Sequence, residues 1–360
     1  MSVSPEMNRI SAYKGAVVSV LSAGLAKGHN GNPAAGLRVH QLYAIPCFFS
    51  GLAALVLSEP EVNIIEQQHH RMLERVQKLH DRTPRCFVYL LAGTVPARAL
   101  LHLKQLSLFM MICHLPGNPI YNHAVNILTS APKSSKSWFL QIRGICLMYR
   151  LSHPLHLLQY PPDKKEFKIL TKESITRYWE AVLREEAATL SSLKFFAAPS
   201  CSLSSVHPVW LAAGSNSFEI RKTEILVRMA SGRFRTEYLC RHWSENRDGY
   251  CQAITCTQVV GDLEHLLVHC PALAEDRNRL WDMFFTKSMR FPALIDLLCL
   301  IEKSTGIVQL QFLLDPFAFS QVFDLWNLFG QGVINHIFYL TRTYVYYLYR
   351  RKQIIIGSWQ

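Results

Sequence analysis

The chain has 360 residues, 49% of them apolar and 18% charged, which excludes the apolar-poor, charge-rich usage of disordered proteins and supplies material for two or three packed units. A formal charge of +12 and a pI near 9.3 favour polyanionic partners such as nucleic acid, although solvated basic faces produce the same balance. Ten cysteines are too dilute for a disulfide scaffold, and the opening MSVSPEMNRISAYKG lacks the charged-then-apolar layout of a secretory signal, so a reducing intracellular location, cytoplasm or nucleus, is expected.

Residues 1 to 59 begin with turn signals at Gly28, Gly31, Asn32-Pro33 and Gly36 and carry little periodicity, which predicts a poorly packed segment. The apolar stretch Leu42 to Leu57 is interrupted by Pro46, Ser50 and Gly51; it falls short of the roughly 18 to 20 residues a bilayer span needs, and no membrane association is expected. From Pro60, Ile64, Ile65, His69, Leu73 and Val76 recur at helical spacing, ending near Thr83-Pro84. A second, largely buried helix over Ala97 to Met111 turns Ala99, Leu103, Leu106 and Met110 to one face and stops at Pro116-Gly117-Asn118-Pro119.

Helical spacing returns through Ile142, Ile145, Cys146 and Tyr149, and the stretch 133 to 184 carries ten Lys or Arg against four acids. Its Trp138, Phe167, Tyr178 and Trp179 read either as stacking platforms for bases or, the plainer reading, as a helical core with the cations in water. Ser-rich Pro199 to Ser205 reads as a linker, after which Ser217 to Met229 forms a helix closed by Ser231-Gly232-Arg233. The expected organisation is mainly α-helical: a thumb-like helical unit over 60–198, a small metal-organised unit over 206–290 and a C-terminal helical region over 291–360.

The sharpest local signal is Y-C-Q-A-I-T-C-T-Q-V-V-G-D-L-E-H-L-L-V-H-C-P, with Cys251, Cys256, His265 and Cys270 spaced C-x4-C-x8-H-x4-C. Three thiolates and an imidazole suit structural zinc, which takes four N or S ligands in a tetrahedron. Gly261-Asp262 would turn the chain and cap a short helix presenting His265, and Pro271 would open the next helix, leaving Cys270 at the junction. The alternative is an ordinary core, because reduced cysteines are among the most buried residues, and Cys240, His242 and His269 stand nearby as competing donors. Catalysis finds little footing: E-H-L-L-V-H is not the H-E-x-x-H of zinc hydrolases, and there is no G-x-S-x-G elbow or phosphate-cradling loop.

G-D-L-E-H-L-L-V-H-C-P-A-L-A (261 to 274), with Cys251 and Cys256 ahead of it, resembles the zinc knuckle that follows the reverse transcriptase of non-LTR (LINE-type) retrotransposon polyproteins. Y-A-I-P-C-F-F-S-G-L-A-A-L-V-L (43 to 57) is similar to that family's segment just after the palm, E-Q-Q-H-H-R-M-L-E-R-V-Q-K-L (66 to 79) to the helix that follows, and R-T-P-R-C-F-V-Y-L-L-A-G-T-V-P (82 to 96) and S-K-S-W-F (135 to 139) to its thumb and connecting region. F-L-L-D-P (312 to 316) and F-Y-L-T-R-T (338 to 343) resemble its tail elements. The resemblance implies that Cys251, Cys256, His265 and Cys270 hold zinc, and it makes the missing polymerase portion of the polyprotein a candidate partner. The family's palm aspartates, in a Y-x-D-D motif, have no counterpart here and no endonuclease domain is evident, so no enzymatic activity is expected. RNA or DNA of the element or its target is the expected partner, with Lys222, Arg228, Arg233, Arg235 and Arg241 as candidate phosphate contacts. Two other readings stay open: a decayed mobile-element product without selected activity, and a zinc-dependent hydrolase using Glu264.

Overall fold

We analysed a computed structural model, which describes residues 31–130, 132, 136–241 and 248–357 together with positions 11, 15 and 18. The fold is mainly α-helical, 73% helix, and among the described residues the only strand-like pairing is one antiparallel bridge between Tyr250 and Val260.

The first half comprises α1 (Pro33–Val39), a π-turn over His40–Ala44, α2 (Ile45–Phe49), α3 (Glu59–Val76), α4 (Arg85–Ala92), α5 (Ala97–Cys113), α6 (Pro119–Ser130), α7 (Trp138–Met148), α8 (Pro154–Gln159) and α9 (Lys164–Thr189). The second comprises α10 (Pro208–Ala212), α11 (Ser217–Ala230), α12 (Glu237–Cys240), α13 (Ala274–Ser288), α14 (Pro292–Glu302), α15 (Gly306–Leu314), α16 (Ser320–Phe329) and α17 (Gln331–Ile355).

Helix starts follow local chemistry. Ser58 and Glu61 cap α3 reciprocally, and Asp163 accepts from the Lys165 and Glu166 amides to open α9. Along α3 the inward stripe is Val62, Ile65, His69, Met72, Leu73 and Val76, whereas Ile64 points outward. The aromatics of the basic stretch are divided: Phe167 and Trp179 are buried, Trp138 is half-buried with its indole N–H donating to the Ala53 carbonyl at 2.8 Å, and Tyr178 is partly exposed. The core reading therefore holds for most of them. Within the segment expected to be poorly packed, Leu37, Phe48, Phe49 and Leu52 are buried, and the Asn32 amide donates to the carbonyls of Trp210 and Gly214 at 2.9 and 2.6 Å; residues 1–10 and 19–30 lie outside the described residues.

α17 is the element around which the second half gathers, packing against α10, α11, α13, α15 and α16. It buries Val333, Ile337, Phe338, Tyr344, Val345 and Leu348. Arg342, also buried, donates to Glu219 on α11 at 2.7 Å and to the Ala212 carbonyl on α10 at 2.9 Å. Contacts also run between the halves: Lys78 pairs with Glu224 at 2.6 Å, Gln77 accepts from the Trp210 indole at 3.3 Å, and the Arg228 guanidinium donates to the Lys78 carbonyl at 2.8 Å.

Among the described residues no single helix is long and apolar enough to cross a membrane. The α4–α5 pair passes that test only jointly, is bent by 57° at its break, and turns Phe87, Leu90, Ala99, Leu106 and Phe109 into the protein core.

Candidate metal centre

Two short pieces of chain meet beneath α17. The first is a knuckle in which the Cys251 amide donates to the Val259 carbonyl and the Cys256 amide to the Ala253 carbonyl, both at 2.8 Å. The Tyr250–Val260 bridge closes its base, and the Gly261 amide donates to the Gly249 carbonyl at 2.9 Å. Gly261 is needed for close approach: a Cβ there would sit 2.8 Å from that of Glu237 and 3.2 Å from the Cys251 nitrogen, too near for either to stay in place.

The second piece runs from Asp262, whose carboxylate accepts from the His265 amide at 2.8 Å, through a single π-turn over His265–His269 to Cys270. That turn decides the geometry. Residues five apart in an α-helix point about 140° apart around the axis. Here the Cys270 amide donates to the His265 carbonyl at 2.7 Å, the wider i→i+5 closure that brings both side chains to one side. Pro271 then opens a short 3-10 turn leading into α13.

One donor atom from each of Cys251, Cys256, His265 and Cys270 lies within 4.8 Å of every other, and all four residues are buried. The Sγ atoms of Cys256 and Cys270 are 3.6 Å apart; zinc–thiolate bonds of about 2.3 Å in a tetrahedron imply a sulfur–sulfur edge of about 3.8 Å. His265 Nε2 is buried and has no hydrogen-bond partner within the protein, and desolvation, reinforced by the nearby Lys352 charge, holds its pKa below the ordinary value, so the ring is kept neutral and its lone pair free. Burial pushes the Cys270 thiol up. For Cys256 burial acts in the same direction but is outweighed by hydrogen bonds from Cys251, Cys270 and Thr255, leaving that thiol lowered. A divalent cation at the centre would offset the cost of three buried thiolates. The four residues can therefore hold a metal ion.

The competing donors stand apart from this group. Cys240 is buried but does not join the four, His269 turns outward to pair with Glu264 at 3.2 Å, and His242 lies outside the described residues. One participant gave no sequence signal. Lys352 of α17 is buried, with Nζ 2.5 Å from Cys251 Sγ, 4.0 Å from Cys270 Sγ and 3.4 Å from Glu237 Oε1.

Beside the centre opens a cavity of about 310 Å³ whose wall includes Arg228, Arg233, Arg235, Phe234, Tyr349 and Lys352. Three of the five predicted phosphate contacts thus converge. Arg233 and Arg235 are exposed, while Arg228 is half-buried and partly committed to the Lys78 carbonyl. The other two stand elsewhere. Lys222 is buried, pairs with Glu219 at 2.7 Å and lies 4.5 Å from the centre of the Phe218 ring, so its charge is consumed inside the protein. Arg241 places its guanidinium carbon over the Tyr238 ring, 3.9 Å from its centre. No protein-family model matches the chain, and no curated protein or solved structure shows significant similarity to it.

Proposed function

We propose that this chain is a non-catalytic nucleic-acid-binding protein, equivalent to the region after the palm of a LINE-type reverse transcriptase, whose C-terminal half is organised by one structural zinc ion on Cys251, Cys256, His265 and Cys270. The observation that carries the proposal is the convergence of four buried N and S donors within 4.8 Å. Thiolate and imidazole donors favour zinc over magnesium or calcium, which take oxygen. Four protein donors complete a tetrahedron and leave no open position for substrate or water, which favours a structural over a hydrolytic ion. Glu264, the carboxylate next to His265 in sequence, is paired with His269 at 3.2 Å. The test is the metal content of the purified full chain: one zinc per chain is expected, lost in both Cys256→Ser and His265→Ala.

The nucleic-acid part of the reading is supported by the net charge of +12 and by the three arginines around one cavity beside the centre. Exposed arginines with adjacent aromatic rings suit phosphodiesters flanked by unstacked bases, so single-stranded RNA or DNA is the assigned ligand class, without sequence readout. An intracellular setting and association with the polymerase portion of such a polyprotein follow from the same reading. Binding of a fluorescent single-stranded oligonucleotide, measured across salt concentrations, tests it; affinity independent of salt would remove it.

A further inference from the structure

Among the described residues Lys352 is the cation that reaches the sulfurs of the Cys3His group; Arg277 donates instead to the Cys270 carbonyl at 2.6 Å. Lys352 arrives from α17, 101 residues after Cys251. Burying a lysine is costly unless its charge is matched, and here the matching groups are Glu237 and the Cys251 sulfur itself. The approach is held from both sides: the Tyr344 hydroxyl, two turns earlier on α17, donates to the Leu267 carbonyl inside the π-turn at 3.0 Å, and Leu348 between them is fully buried.

Three thiolates and a neutral imidazole around a divalent ion carry a net charge of minus one. A donated N–H draws electron density from the sulfur it contacts, which makes that sulfur a poorer nucleophile and a weaker proton acceptor. We infer that Lys352 is a positioning residue of the metal centre: by donating to Cys251 it shields that sulfur from electrophiles and so slows loss of the ion. This rests on the zinc reading above. It adds a property of the same site: the reactivity of Cys251 is set by a charge supplied from α17.

The experiment uses the full-length chain, purified with zinc, and follows release of the ion to a chromogenic indicator after addition of N-ethylmaleimide. Lys352→Met removes the N–H donor at similar volume, Lys352→Gln restores a neutral donor, and Leu348→Ala loosens α17 without touching the sulfur. Release is expected to be at least about tenfold faster in Lys352→Met, between wild type and Lys352→Met in Lys352→Gln, and unchanged in Leu348→Ala well below its melting temperature. In the cobalt-substituted protein the thiolate-to-metal charge-transfer band should move to lower energy in Lys352→Met alone. Equal release from wild type and Lys352→Met overturns the inference while leaving the zinc reading intact; Leu348→Ala matching Lys352→Met also overturns it, since general loosening would then suffice. If Lys352→Met does not fold, Lys352→Gln decides, and wild-type kinetics there count against the inference. Wild-type protein without bound metal removes the zinc reading itself, a result distinct from all of these.

Discussion

Cys256 and Cys270 place their sulfurs 3.6 Å apart across 14 residues of chain, a spacing set by a knuckle on one side and a π-turn on the other. Neither piece has an extensive apolar core of its own. A chelator is therefore expected to melt the local structure first and then lower the stability of the second half, since an ion bound only by the folded state stabilises it by mass action. Thermal melts with and without a high-affinity zinc chelator check this; identical midpoints would mean that the ion contributes nothing to folding.

Gly261→Ala should weaken metal binding without altering any donor. The added Cβ would meet Glu237 Cβ at 2.8 Å, so the knuckle or α12 must shift, moving Cys251 relative to the other three. A loss of about tenfold in zinc affinity by competition titration is the expected size, comparable to disturbing the partner of a ligand.

Glu219 is the shared acceptor for two buried cations, Lys222 and Arg342, each at 2.7 Å. Glu219→Ala strands both and should cost about 3 kcal/mol, the scale of an orphaned buried ion pair. Arg342→Met should cost less, because Glu219 keeps Lys222. Urea titration of the two variants gives the order, and the reverse order would show that the pair contributes little.

Acid should destabilise the protein before it protonates most carboxylates. Desolvation lowers the pKa of the buried His102 and His207 rings to about 4, with Arg98 assisting at His102. Each ring is neutral in the folded protein and titrates at its ordinary value when unfolded, so the stability it contributes is present above pH 6.5 and lost as the pH falls towards 4, roughly 3 kcal/mol per ring. Asp315 runs the other way. Burial raises it to about 6 despite amide hydrogen bonds from Ala197 and Phe317, so its contribution is full below about pH 4 and is lost as the pH rises through 6. Burial lowers His40, His69 and His336 as well, so with several rings against one carboxyl urea midpoints should fall between pH 6.5 and 4, and His207→Gln should shrink that fall.

Replacing Arg233 and Arg235 together by alanine should weaken single-strand binding and flatten its salt dependence by about 1.4 in the log–log slope, near 0.7 per lost phosphate contact. Lys222→Ala should leave that slope unchanged, because its ammonium is taken up by Glu219.

The parts legible in the sequence were those fixed by local chemistry. The C-x4-C-x8-H-x4-C spacing picked out the four donors, Gly232 closed α11 with a positive φ of 66°, and Pro271 opened the segment after Cys270. Side-chain direction was harder to read. Ile64 and Ile65 look equivalent by periodicity, yet the position of Glu59–Val76 against α4 and α5 buries only Ile65. Lys222 reads as a solvated cation until α17 covers it. The x4 gap between His265 and Cys270 reads as a short helix with Cys270 at its junction rather than as the π-turn that forms, and Lys352 reaches Cys251 through tertiary packing that no local pattern records.

That α17 forms so much of the inner wall has a consequence for biosynthesis. Cys270 leaves the ribosome 82 residues ahead of Lys352, and the surfaces of α10, α11 and α13 stay uncovered until α17 has emerged. A nascent chain interrupted within 331–355 would therefore present a wide oily groove to chaperones and proteases, so synthesis of this helix is the step that closes the second half against them.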